Sequence, residues 1–293
     1  DPFQPSQELW DLYEGAAIDI PEYPPDLAAR ESEMDRWLNA VHGTDPPDLG
    51  EPESLYALRR ADDALVTYID RKVGELLAAL EKTSLDENTI VIFCSDHGDM
   101  LAERRMVQKR CFYEWSARIP LIVAFPDGRG AGRTVDAPVS LLDLAPTFLD
   151  WAGVPEEDRL AIDGRSLVPL LEGEEEGEER VVISEFHTDK VKAPCFMVRK
   201  GAYKYVYIHG FRGQLFHMPS DPDEWENLID DPAHGQVVEE LRGLVLAQFD
   251  PEWIVQDAAD SIARRELIRA AMRRTDTHWD YVPDFEESKR FVR

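Results

Sequence analysis

The stretch that decides the fold is Ile90-Val91-Ile92-Phe93-Cys94, which runs directly into Ser95-Asp96-His97-Gly98-Asp99. The first five residues form a continuous apolar run, the composition of a central parallel strand that is buried on both faces. In open α/β sheets, ligands bind beyond the carboxyl ends of the strands. The polar residues that follow this run are therefore in the position of a functional site.

The elements on either side of this strand indicate an α/β layered domain. A long amphipathic helix is predicted from Ser54 to Leu80, because apolar residues recur there at helical spacing. Residues 120–125 form a second apolar run, and a helix with Asp143 as its N-cap is predicted to end at Gly153. The order helix, strand, strand, helix is typical of a layered sheet domain.

The pattern changes after the acidic run that begins at residue 172. Short strand-like runs follow at 181–186, 195–199, 203–208 and 214–218. Lys200-Gly201 is typical of a hairpin turn, and two helices are predicted at 235–248 and 258–273. We therefore expect three parts: residues 1–171 as part of a catalytic α/β domain, 172–273 as a smaller domain with an antiparallel sheet and helices, and 274–293 as a tail.

Charge and composition argue against several classes of function. The chain has 59 acidic and 32 basic residues and a net charge of −27, whereas nucleic acid binding requires a basic surface. No apolar run reaches the length of about 18 residues that a membrane-spanning helix needs, so neither nucleic acid nor a membrane is expected as a partner. The three cysteines cannot all pair with one another, and two lie in apolar runs. We expect a reducing compartment, the cytoplasm.

Asp96 and His97 are candidate metal ligands. A carboxylate followed by an imidazole and a glycine can supply two ligands from one turn. From these two residues alone, the alternative that Asp96 caps a helix and that His97 has no special role is the better interpretation. For Lys109, taken by itself, an ordinary surface lysine is equally plausible.

Longer stretches resemble the sulfatases of the alkaline phosphatase superfamily. The resemblance is carried, in the family's order and spacing, by residues 95–101, 109, 112–114, 118–123, 138–147 and 163–167. It implies an alkaline-phosphatase-like layered sheet domain and hydrolysis of a small-molecule sulfate ester. It also implies one divalent cation, Ca²⁺ or alternatively Mn²⁺ or Mg²⁺, held by Asp96 and His97, with Lys109 on the sulfate oxygens. A cation and an ammonium would stabilise the charge that develops there.

Two segments narrow the resemblance to the choline-sulfatases: residues 112–118 and the C-terminal end from His278. This resemblance implies choline sulfate or a similar alkyl ester as substrate, and a homo-oligomer that forms through the tail. A quaternary ammonium is attracted by aromatic faces and by a nearby carboxylate. The candidates for that carboxylate are Glu185 and Asp280, although Glu185 could equally be an exposed charge at a strand edge.

The resemblance also implies a formylglycine nucleophile made from a cysteine, in a family motif that reads Cys (or Ser)-x-Pro-x-Arg. None of Cys94, Cys111 and Cys195 stands in such a motif. We therefore expect the formylglycine upstream of this chain, and we expect that the chain is not competent alone. Two alternatives remain: a phosphonate or phosphodiester hydrolase of the same superfamily, and a truncated, non-catalytic partner chain.

Overall fold

A computed structural model describes residues 3–42, 51–174, 179–187 and 189–277. The chain divides into two compact units, residues 1–249 and 250–293, so the structure divides at a different place from the expected boundary at 172, which stays a prediction. Within the described ranges, no helix is both long and apolar enough to cross a membrane. The expected role of the tail falls largely on residues 278–293, which lie outside the described residues.

The first unit contains eight helices within its described residues. They are α1 (Gln7–Leu12), α2 (Leu27–Arg30), α3 (Glu33–His42), α4 (Pro52–Thr83), α5 (Glu114–Ala117), α6 (Leu144–Trp151), α7 (Val168–Glu172) and α8 (Gly235–Gln248). The predicted helices at 54–80 and 235–248 are confirmed. Proline at the first position starts α4, and Ser84 in the left-handed conformation ends it.

Asp143 occupies the N-cap position of α6, as predicted. Its side chain makes no capping bond to α6. Instead the carboxylate accepts the amide of Ser140, 2.9 Å away, and the amide of Arg165, 2.8 Å away. It also pairs with the buried guanidinium of Arg180 at 3.0 Å. Asp143 therefore links three separate segments, which a local capping pattern could not reveal.

The strands β1 (Val91–Cys94) and β4 (Leu121–Ala124) form a two-stranded antiparallel pair. The prediction of a central parallel strand buried on both faces is wrong for the described residues. Every residue of β1 is half-buried, and residues alternate between half-buried and exposed along β4. An apolar run reports how well a strand could be buried, but its direction and its depth depend on the neighbours that it finds.

A second pair, β2 (Met100–Leu101) with β3 (Val107–Gln108), forms a short hairpin after the Asp96 loop. The antiparallel four-stranded sheet follows, in the order β5 (Val181–Phe186), β6 (Cys195–Lys200), β7 (Tyr203–Ile208) and β8 (Gln214–His217). The predicted antiparallel sheet and its hairpin at Lys200-Gly201 are therefore confirmed.

The four-stranded sheet is covered on both faces. The inner face belongs to the main hydrophobic core, where it packs with residues of α3, of the β2–β3 hairpin and of the segment before α5. This core comprises Met34, Trp37, Leu38, Met100, Met106, Cys111, Phe112, Tyr113, Val191, Ala193, Cys195, Met197, Val206, Ile208, Phe216 and Met218. The outer face carries Phe196, which contacts Phe249, and α8 packs against β6 and β7 with Leu241 and Val245 buried. The segment around Lys109 therefore adjoins the main hydrophobic core, to which Met106 and Cys111 belong.

The second unit contains the helix α9 (Pro251–Thr275). It begins earlier than the predicted residue 258, because Asp250 caps it by accepting the amide of Trp253 at 3.0 Å, and Pro251 occupies its first turn.

Candidate active site

The loop after β1 brings Asp96 and His97 together. The Asp96 carboxylate accepts the amide of His97 at 3.0 Å, and its second oxygen lies 3.5 Å from His97 Nε2. The His97 amide, and then the His97 ring, hold the pKa of Asp96 below its ordinary value. Asp96 is therefore an exposed carboxylate that remains ionised at neutral pH.

The hydrogen bond of His97 decides which ring nitrogen can act as a ligand. Its Nδ1 lies 2.8 Å from the carbonyl oxygen of Gly98. Because a carbonyl oxygen can only accept, Nδ1 carries the proton, and the neutral ring keeps its lone pair on Nε2. Nε2 is the atom directed towards the carboxylate of Asp96.

These two donors fit a divalent cation. Adjacent donors around one Ca²⁺ lie roughly 3 to 3.5 Å apart, and the carboxylate oxygen and imidazole nitrogen are separated by 3.5 Å. Within the described residues, however, no group of three or more His, Cys, Asp or Glu could hold a metal ion. Asp96 and His97 could therefore supply two donors, and a metal site at this loop would need further donors; their role as ligands stays a prediction.

Gly98 fixes this loop against α5. Its amide donates to the carbonyl oxygen of Ser116 at 2.8 Å. A Cβ at Gly98 would lie 2.0 Å from the carbonyl oxygen of Trp115, so no larger residue fits without displacing backbone. The position of Asp96 and His97 is thus tied to the backbone of α5.

The turn between β2 and β3 has an unusual backbone. Ala102, Arg104 and Arg105 have φ values of 75°, 53° and 55°, in the left-handed region that side chains other than glycine adopt only at a cost. Contacts from elsewhere hold the turn: Tyr23 donates to the carbonyl oxygen of Ala102 at 2.7 Å, and the buried Arg59 pairs with Glu103.

Arg104 is deeply enclosed in this turn, with 3% of its surface exposed. Its guanidinium lies between two aromatic rings, 4.2 Å from the centre of Tyr113 and 4.5 Å from that of Trp225. Its Nη1 also donates to the carbonyl oxygen of Glu224 at 3.0 Å. This packing immobilises the hairpin that leads to Lys109.

Lys109 directly follows β3 and is half-buried. The next residue, Arg110, has a φ of 83° and pairs with Asp189 at 2.7 Å, so the chain leaves the hairpin in a fixed direction. Lys109 thus lies at the end of the β2–β3 hairpin. This hairpin begins at Met100, which closely follows His97 in the chain.

Glu185 lies on the outer face of the four-stranded sheet, opposite the face that packs in the main hydrophobic core. It pairs in register with Phe196, a residue of the outer face, whereas its neighbour Phe186 packs on the core that contains the site segments. The Glu185 carboxylate lies 2.6 Å from His187 Nε2. Its role as the substrate carboxylate stays a prediction, and so does that of Asp280, which lies outside the described residues.

Sequence reasoning missed a buried charge network beside the site. The Lys204 ammonium lies 2.8 Å from Glu114 Oε1 and 2.8 Å from Glu224 Oε1. Glu224 Oε2 accepts the amide of Glu114 at 2.7 Å. Burial raises the pKa of Glu224, and the Lys204 ammonium opposes that rise. A lysine within the apolar run of β7 was the one available signal, since Glu224 stands in a polar loop.

Two protein families match overlapping parts of the chain. The sulfatase family matches residues 19–154, and the family of the N-sulphoglucosamine sulphohydrolase C-terminal region matches residues 102–249. The second match includes the turn and second strand of the hairpin, Lys109, the four-stranded sheet and the buried charge network.

Several individual proteins are similar. The choline-sulfatase of Rhizobium meliloti (strain 1021) is 36% identical over 298 residues, which cover 100% of this chain and 57% of that protein. Human arylsulfatase K is 39% identical over 175 residues, covering 56% of this chain and 32% of that protein. The chain therefore spans little more than half the length of the choline-sulfatase that it matches.

Solved structures give the same result for the fold. The phosphonate monoester hydrolase SpPMH from Silicibacter pomeroyi superimposes with a TM-score of 0.70 and 28% identity, covering 81% of this chain and 51% of that one. A 2-O GAG sulfatase superimposes with a TM-score of 0.64 and 29% identity, covering 78% and 51%.

Proposed function

The chain belongs to the sulfatase family, and from that premise we propose that it carries part of the active site of a metal-dependent sulfuric ester hydrolase. The observation that supports this proposal best is the pair of donors formed by Asp96 and His97 at the carboxyl end of β1. When bound, the divalent cation would stabilise negative charge on the sulfate oxygens.

Asp96, His97 and Lys109 would each have a different role around that cation. Asp96 contributes an ionised carboxylate, because the amide of His97 lowers its pKa. His97 offers Nε2, because Gly98 holds the proton on Nδ1. The Lys109 ammonium would hold the sulfate oxygens and favour the charge that develops as the ester bond breaks.

The nucleophile belongs to another part of the active site in this proposal. None of the three cysteines stands in a Cys-x-Pro-x-Arg motif. Burial also raises the pKa of Cys111 and that of Cys195 to about 12, so neither thiol is reactive at neutral pH. We place the formylglycine outside these 293 residues and expect no turnover by this chain alone.

Choline sulfate or a similar alkyl sulfate ester is the substrate that we propose. The support is the match to a choline-sulfatase along the whole of this chain. A phosphonate or phosphodiester hydrolase is the second candidate, favoured by the likeness to the Silicibacter pomeroyi structure. It is the weaker one, because the curated relatives named above are sulfatases. Cytoplasmic location and oligomer formation through residues 274–293 stay predictions.

The test uses the protein produced from its natural gene. We expect Asp96→Ala to lower bound divalent cation at least about 10-fold and to abolish hydrolysis of choline sulfate. Asp127→Ala is the matched control, since Asp127 is also exposed and also accepts a backbone amide, that of Arg129 at 3.1 Å. Unchanged metal content in Asp96→Ala would contradict the metal assignment. Faster turnover of a phosphonate monoester than of any sulfate ester would favour the second candidate.

A further inference from the structure

We propose that Glu224 is a positioning residue that holds the two segments of the candidate active site, the Asp96-His97-Gly98 loop and the hairpin that leads to Lys109. This inference rests on the proposed function. Glu224 is fully buried, lies in the loop after β8, and contacts neither Asp96, His97 nor Lys109 by any hydrogen bond or ion pair found within the described residues.

The first connection runs through α5. Glu224 Oε2 accepts the amide of Glu114 at 2.7 Å, and Lys204 binds the Glu114 side chain at 2.8 Å. These contacts fix the first turn of α5. The carbonyl oxygen of Ser116, at the other end of this short helix, accepts the amide of Gly98 at 2.8 Å. A shift at Glu114 would therefore be passed to the metal-ligand pair through rigid backbone.

The second connection runs through Arg104. The backbone carbonyl of Glu224 accepts Nη1 of Arg104 at 3.0 Å, and the neighbouring Trp225 forms one of the two rings that enclose the guanidinium. Arg104 belongs to the left-handed turn between β2 and β3. The strand β3 directly precedes Lys109. The same residue thus holds both segments, one through its carboxylate and one through its backbone.

The chemistry of the network also indicates a role beyond stability. A buried ion pair gives little net stability, because the cost of removing two charges from water offsets their attraction, and a well-packed apolar pair is often as stable. Glu224 itself has a φ of 57°, an unfavourable backbone conformation that its contacts must maintain. What the carboxylate provides, and an apolar side chain cannot, is a directed bond to the amide of Glu114.

The test compares three changes in the protein produced from its natural gene. Glu224→Met removes the carboxylate that accepts the amide of Glu114, and the double change Lys204→Met with Glu224→Leu replaces the pair by apolar groups. The control is Arg180→Met with Asp143→Leu, which removes another buried pair that contacts neither segment. Two quantities are measured in each: affinity for Ca²⁺, and hydrogen exchange of the Gly98 amide by NMR.

We expect both Glu224 variants to bind Ca²⁺ about 10-fold or more weakly, because changes at residues that orient metal ligands commonly have this effect. We also expect faster exchange of the Gly98 amide. The double variant should show both effects even where its melting temperature equals that of the original protein, which a merely structural role would not cause. The Arg180 control should lose stability but keep its Ca²⁺ affinity and its Gly98 protection.

Original Gly98 protection and original Ca²⁺ affinity in a folded Glu224 variant would overturn the inference. If these variants do not fold, Glu224→Asp is the milder change, because it keeps the charge while the shorter side chain withdraws the carboxylate from the amide of Glu114, and unchanged Gly98 exchange in that variant would overturn the inference too. If the unmodified protein binds no divalent cation, the proposed function fails, while Gly98 exchange still tests the positioning role by itself.

Discussion

The β1–β4 pair and the four-stranded sheet β5–β8 are built from similar apolar runs, but they are covered very differently. Every residue of β1 is half-buried, and Ile122 of β4 is 60% exposed. In β6, by contrast, Cys195, Phe196 and Val198 are completely buried. The difference teaches that an apolar run determines that a strand forms, while the elements packed on either side determine how deeply it is buried.

The candidate ligands and the residues that support them belong to sheets that differ in burial. Asp96 and His97 follow β1, which has β4 as its strand neighbour within the described residues. The Lys204 ammonium and the core beneath Lys109 belong to the four-stranded sheet, which packs on both faces. The candidate ligands thus follow the lightly covered β1–β4 pair, and in our proposal the well-covered four-stranded sheet positions them.

The largest effect on the free energy of unfolding should come from truncating a side chain in the four-stranded sheet. Phe196→Ala should lower the free energy of unfolding by about 3 to 5 kcal/mol, because it leaves a cavity among fully buried neighbours. Ile122→Ala should cost less than about 1 kcal/mol, since most of that side chain is exposed. Urea unfolding followed by circular dichroism measures both. Equal losses would show that the β1–β4 pair is as well covered as β6.

A smaller effect should come from adding a methyl group at two glycines. Gly98→Ala should destabilise by about 1 to 3 kcal/mol, because the new Cβ would meet the carbonyl oxygen of Trp115. Gly243→Ala lies in α8, where no atom stands within 4 Å of the added group, and should stabilise by about 0.5 to 1 kcal/mol. Thermal unfolding of the two variants would measure this contrast. A neutral Gly98→Ala would mean that the loop does not depend on its close approach to α5.

The mildest probe changes no residue. Cys94 in β1 is half-buried, whereas burial raises the pKa of Cys195 in β6 to about 12. Between pH 7 and 9 the Cys195 thiol therefore stays protonated and unreactive in the folded protein. We expect iodoacetamide to label Cys94 at least about 10-fold faster, and mass spectrometry of the digested protein would show it. Equal labelling of both cysteines would mean that the four-stranded sheet opens readily.

Much of this architecture follows from the sequence, because the signals are local. The helical spacing in 54–80 and the hairpin at Lys200-Gly201 depend only on neighbouring residues, and both are confirmed. Asp96 and His97 could be proposed as donors because the longer stretches around them resemble the sulfatases, whereas the two residues alone favour a helix cap. Local reasoning failed where partners are distant. It mistook the direction of β1, and it could not find Glu224, which meets Glu114 from 110 positions away.

The left-handed backbone at Ala102, Arg104 and Arg105 has a consequence for redesign of this segment. Glycine adopts such a conformation at no steric cost, so at Ala102 it should relieve the chain. At Arg104 the same replacement would empty the space between two aromatic rings. In a saturation-mutagenesis screen for folded protein, glycine should be enriched at 102 and depleted at 104. The turn could thus be relaxed at one end while its clamp is kept at the other.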